Sequence, residues 1–158
     1  MYQQKRSPFI SQQSKRVYLS LNPKGDPFDY DSSRDPQLEL IGLLLWATEG
    51  DKTQLSLANG NAAIIQKYLS FLRIICRFQE ERIKAVVHCH DTLSYSKCLG
   101  YWAKITKIPP TRFNKPFIKK DHGGTRNYPY GILRVVATNI KLVHHFKERL
   151  AEIGLPQH

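Results

Sequence analysis

The sequence predicts an α+β domain, and three observations carry that reading. From Pro36 onward, stretches with apolar residues every three to four positions alternate with stretches in which they recur every second position. Capping and turn residues stand between them. Hydrophobic residues make up 41% of the 158, enough for one core but not comfortably two. Residues 1–35 read differently, as a basic, partly irregular arm. Lys5, Arg6, Lys15 and Arg16 lead into the turn-rich NPKGDPFDYDSSRDP, with one short strand expected around Val17–Leu21. The domain is expected over 36–158.

Asp35 is placed to cap a first helix, with Pro36 at its first position. Leu38, Leu40, Ile41, Leu43, Leu44, Leu45, Trp46 and Ala47 follow almost without polar interruption, which predicts a helix buried on nearly all sides. Gly50 is expected to end it as a C′ glycine. Gln54–Ala58 alternates and predicts a strand with Leu55 and Leu57 on one face. Asn59 or Asn61 then caps a second helix reaching about Phe78, with Ile64, Ile65, Tyr68, Leu69, Leu72 and Ile75 as its stripe. Ile83–His90 is a clear strand, with Ala85, Val87 and Cys89 on one face and Val86, His88 and His90 on the other. Thr92 is expected to cap a third helix, with Leu99, Trp102 and Ile105 inward and Pro109 and Pro110 stopping it. Phe113–Lys120 and Pro129–Thr138 are expected to pair with each other across the DHGGTRN loop. Asn139 caps a last helix carrying Ile140, Val143, Phe146 and Leu150. The expected order from residue 36 is α-β-α-β-α-β-β-α.

Charge narrows the function. Lys and Arg total 24 against 13 Asp and Glu, a net +11 and a pI near 9.7. Such self-repulsion is commonly tolerated when the partner is a polyanion. The excess concentrates in 101–130, where Lys104, Lys107, Arg112, Lys115, Lys119, Lys120 and Arg126 meet one acid, Asp121. Lys115 and Lys119 share a strand face by the period of two, and Arg134 on the next strand joins that surface. These basic residues, with His88 and His90, are the expected nucleic-acid contacts. His88 and His90 read as phosphate contacts rather than zinc ligands, since a structural zinc needs four. His144 and His145, beside Lys147 and Arg149, read as a solvated basic face. Gly123-Gly124 lacks the strand and helix of a phosphate loop.

Cys76, Cys89 and Cys98 are odd in number and none forms a CxxC pair, so they read as buried thiols of a reducing compartment. The N-terminus lacks a signal peptide's apolar core, and the longest apolar run, Ile41 to Ala47, is far short of a membrane span. The expectation is a soluble intracellular protein, cytoplasmic or, in a eukaryote, organellar.

One residue stands out against the helix it ends. Glu49 sits in the last turn of the first helix, where an acid opposes the helix dipole at a cost of about 0.3–1 kcal/mol. A divalent cation would offset that cost. The segment GLLLWATEGDKT, residues 42–53, resembles the LAGLIDADG helix of homing endonucleases: an apolar helix, small residues near its end, then an acid and a glycine. Aligned on Glu49-Gly50, Thr48 falls on the motif's small residue and Leu44 on its central glycine. QLSLANGNAAIIQKYLSFL and YGILRVVATNIKLVHHF are similar to later parts of the family, so the resemblance spans residues 36–152.

The resemblance implies an antiparallel, saddle-shaped sheet over double-stranded DNA, with helices packed on its other face. One motif per chain implies a homodimer joined through the helix 36–49. It implies Glu49 as the catalytic acid and, with Gly50, as ligand to Mg²⁺ or another hard divalent cation. Lys52 and Lys115 are the basic residues expected to hold the scissile phosphate. The expected activity is metal-assisted hydrolysis of DNA. The alternatives are a non-cleaving DNA-binding regulator on the same fold and an RNA-binding or splicing cofactor.

Overall fold

A computed structural model describes residues 28–123 and 128–157. The expected strand at Val17–Leu21, the four cations before it and Arg126 lie outside the described residues. Helix α1 (Pro36–Glu49) starts as expected, with the Asp35 side chain accepting from Leu38 N at 3.0 Å and Pro36 in the first turn. Leu38, Gly42, Leu43 and Trp46 face the core. Leu40 and Leu44 do not: they are 46% and 36% exposed, so α1 is buried along one side and carries an apolar stripe on the other.

Strand β1 (Leu57–Asn59) begins three residues later than expected, although Leu55 N still bonds Ala137 O in the same register. Asn61 caps helix α2 (Ala62–Ser70), which widens into a π turn, Phe71–Ile75, before the chain leaves it. Strand β2 (Lys84–His90) keeps the predicted alternation, with Ala85, Val87 and Cys89 buried. Ser94, not Thr92, caps helix α3 (Tyr95–Thr106). The buried positions of α3 are Cys98, Trp102 and Thr106, and Thr92 Oγ1 instead meets Asp121 Oδ2 at 3.1 Å. Strands β3 (Phe117–Lys119) and β4 (Ile132–Val136) and helix α4 (Ile140–Glu152, capped by Asn139) complete the order.

The sheet corrects the expected pairing. Its order is β1-β4-β2-β3, so β3 and β4 are not neighbours. β4 lies antiparallel between β1 and β2, whereas β3 runs parallel to β2. The sheet is therefore mixed rather than antiparallel. The cause is α3: a parallel neighbour needs a crossover, and this helix returns the chain to the starting end of the sheet before β3 is laid down.

Helices cover one face, over Leu57, Ala85, Val87, Leu133 and Val135. The centre is aromatic, with Phe71 and Phe146 5.2 Å apart and Trp46 edge-on to Phe146 at 5.3 Å. Residues 28–34, expected as the end of the arm, belong to this core. Phe28 and Tyr30 are buried, and Tyr30 packs on His145 at 4.3 Å. His145 and Arg149 are consequently buried too, and the basic face expected for α4 does not include them. Arg149 is paired bidentately with Glu39 of α1 at 2.6 and 2.9 Å. The three cysteines are free and buried, as expected.

Candidate nucleic-acid interface

The face of the sheet opposite the helices is left open by the described residues. Strand pairing aligns the side chains on it: Ala58, Arg134 and Val86 form one cross-strand row, and Ile132, His88 and Phe117 the next. His90 and Lys119 are paired beyond them, and Lys84 opens the other end beside Val136. Four of the predicted contacts, His88, His90, Lys119 and Arg134, thus share one surface. Sequence reasoning missed Lys84 and Phe117, although Phe117 has the same parity as Lys115 and Lys119. Phe117 is 52% exposed, with the His88 ring 5.3 Å away and Lys119 Nζ 5.7 Å from its centroid. Burial, then the charges of Arg134 and Lys119, hold the His88 pKa below the usual histidine value, so its ring is neutral at pH 7.

The other predicted cations are dispersed. Lys104 and Lys107 belong to the end of α3 in the helix layer, Lys107 as its left-handed C-cap. Arg112 is taken up structurally, bonding the Glu80 carbonyl and, at 3.2 Å, the Glu80 carboxylate. Lys115 and Lys120 are exposed on either side of β3.

At the opposite edge, α1 delivers its last residue to β1. Glu49, Gly50, Asp51, Ala58 and Arg134 line a shallow cavity of about 230 Å³. Gly50 is not the left-handed cap expected. Its backbone is extended, and what it needs is room: a Cβ there would come within 2.6 Å of the Trp46 ring and carbonyl. The Glu49 carboxylate is exposed, while Asp51, missed by sequence reasoning, is held in place. Asp51 Oδ1 accepts from Thr53 Oγ1 and N at 2.7 and 3.0 Å, and Oδ2 faces Arg134 at 3.4 Å. Those Thr53 bonds and the Arg134 charge keep the Asp51 carboxyl below the usual range, ionised. The D-x-T spacing of an Asx turn was the available signal. Lys52 Nζ reaches the Gly50 carbonyl at 3.5 Å. Lys115 is not brought here: it precedes β3, which β4 and β2 separate from β1.

Two hard carboxylates beside an arginine suit Mg²⁺, which takes one or two protein carboxylates and fills its shell with water and phosphate oxygens. Among the described residues no group of three or more His, Cys, Asp or Glu gathers around one point. No helix among the described residues is long and apolar enough to cross a membrane. Comparison with family models, curated proteins and solved structures finds no match. The functional reading rests on the residues themselves.

Proposed function

We propose that this protein is a divalent-metal-dependent DNA endonuclease resembling the LAGLIDADG homing type, acting as a homodimer. The observation that carries the proposal is the position of Glu49. It ends the motif-like helix in a cavity shared with Asp51 and with Arg134 of the open, basic sheet face. An acid at a helix C-terminus costs stability, and a site that binds a cation gives that placement a use.

In this reading the open face lies against the duplex, and Lys84, Lys119 and Arg134 meet its phosphates. Glu49, with Asp51 beside it, would hold a Mg²⁺ ion, which when bound would supply an acidified water and neutralisation of the leaving oxygen. Arg134, which already spans the sheet face and Asp51, positions the phosphate against the carboxylates. The exposed stripe Leu40 and Leu44 on the same helix seats the second copy.

The test is cleavage of a randomised DNA library by purified protein, with and without Mg²⁺. Cutting that requires the metal and disappears in Glu49→Gln is expected. Sequence-specific retention without cutting supports a regulator instead, and preference for structured RNA supports the RNA-binding reading.

A further inference from the structure

Beside the exposed aromatic of the open face lies a cavity of about 180 Å³, lined by His88, His90, Lys119, Tyr128, Gly131 and Ile132. It holds roughly ten times the ~15 Å³ that one water needs. Its construction is rigid. Gly131 has φ +72°, and a Cβ there would come within 2.5 Å of the His88 carbonyl, so the floor is closed by backbone. Gly131 N bonds Tyr128 O at 2.9 Å, which fixes the turn leading into β4. The next carbonyl but one, that of Tyr130, accepts from Trp102 Nε1 at 2.9 Å, and the Tyr130 ring is stacked on Tyr101 at 3.9 Å and 6°. The Tyr128 ring rests on Gly60, where a Cβ would stand 2.3 Å from it. An aromatic wall is thus held in place before any ligand arrives.

The chemistry of the lining is divided. Tyr128 and Ile132 offer flat and apolar surface. Lys119 offers a cation, and the two imidazoles offer hydrogen bonds. An aromatic wall with a cation at its rim is what an unstacked nucleotide meets in strand-binding proteins: the base stacks, and its phosphate pairs with the cation. A phosphate alone would leave the apolar wall unused.

We infer that this cavity receives one unpaired nucleotide of the bound strand, its base against Tyr128 and Ile132 and its phosphate at Lys119. The inference rests on the nucleic-acid reading of the open face and narrows its substrate to one carrying an unpaired or extruded base.

Fluorescence anisotropy of the full chain, without Mg²⁺, would compare three probes: a paired 20-mer duplex, the same duplex with a single-nucleotide bulge of 2-aminopurine, and adenosine monophosphate. The bulged duplex is expected to bind about tenfold more tightly than the paired one, the scale of one base–aromatic stack, with its 2-aminopurine emission altered. Tyr128→Ala should bring the bulged duplex down to the affinity of the paired one, whereas Tyr128→Phe should keep the preference. Equal affinity for the two duplexes, or a preference that survives Tyr128→Ala, overturns the inference and leaves the nucleic-acid reading standing. Binding of the mononucleotide with no bulge preference also overturns it. If no duplex binds, the nucleic-acid reading fails and takes this inference with it.

Discussion

Substituting Glu39 by Gln should be among the most damaging single changes in this protein, although the side chain is nearly isosteric. Glu39 Oε1 accepts from Tyr30 Oη at 2.5 Å and from Arg149 Nε at 2.6 Å, and Oε2 accepts from Arg149 Nη2 at 2.9 Å. Both charged side chains are under a tenth exposed. Breaking a buried pair by removing one charge typically costs about 3–5 kcal/mol, because the other charge stays buried. Here Glu152, 2.7 Å from Arg149 Nη1, retains part of the compensation, which places the expected loss near 3 kcal/mol. With a urea m-value of about 2–3 kcal/mol/M, the midpoint should fall by about 1–1.5 M at fixed protein concentration and unchanged slope. The decisive comparison is the triple variant Tyr30→Phe, Glu39→Met, Arg149→Met. It leaves no buried charge and no orphaned hydroxyl, so it should be far more stable than the sum of its single changes predicts. Additive losses, or a Glu39→Gln effect below about 1 kcal/mol, would refute the claim that these three residues act as one buried unit.

Three further outcomes follow from particular contacts. Gly42→Ala gains about 1 kcal/mol of helix propensity but sets a Cβ 2.0 Å from the Phe71 ring, so calorimetry should find a net loss of about 1–3 kcal/mol. Burial, only partly opposed by Glu148, holds the His145 pKa below its usual 6.5. The unfolded chain therefore takes up a proton that the folded one refuses. Stability should be full above about pH 6.5 and fall below it by at most about 1.4 kcal/mol per pH unit. His88 shifts in the same direction, so the contribution of His145 is read as the difference from His145→Gln between pH 7.5 and 5; parallel curves would exclude it. Leu44→Glu should leave a folded monomer in light scattering where the unaltered chain is a dimer, and an unaltered chain that is itself monomeric would end the homodimer reading.

What the sequence disclosed was what is local. Asp35-Pro36 and Asn139 were legible, and the cap of the second helix was narrowed to Asn59 or Asn61, because a cap bonds amides two or three residues away. The faces of β2 were legible because strand alternation is a property of the strand alone. Strand partners were not. Pairing Phe113–Lys120 with Pro129–Thr138 assumes that successive strands are neighbours, and the crossover through α3 breaks that assumption. The burial of Glu39 was equally hidden, since its partner Arg149 lies 110 residues away. In the site, alternation set His88 and His90 on one face of β2, but Lys119 and Arg134 share that surface through β2 lying between them, not through the direct pairing expected. Counting charge without pairing it put Arg112 among the contacts, although Glu80 occupies it.

The glycines of α1 bear on how a second copy could approach. In the alignment on Glu49-Gly50, the position of the family's central glycine falls on Leu44, on the outward side of the helix. The glycine this helix does carry, Gly42, faces inward and is filled by the Phe71 ring. The close approach that Gly42 permits is to Phe71 of the same chain. Two α1 helices meeting on Leu40 and Leu44 would be held apart by those leucines, near the outer end of the usual 8–10 Å interaxial range. The two Glu49 carboxylates would then be spaced further than a glycine seam allows, with less mutual repulsion to neutralise. On the proposed reading, each chain is better suited to hold its own cation with Asp51 than to share one across the two-fold axis. Asp51, absent from the motif's helix and locked by Thr53 and Arg134, is the residue such an arrangement needs.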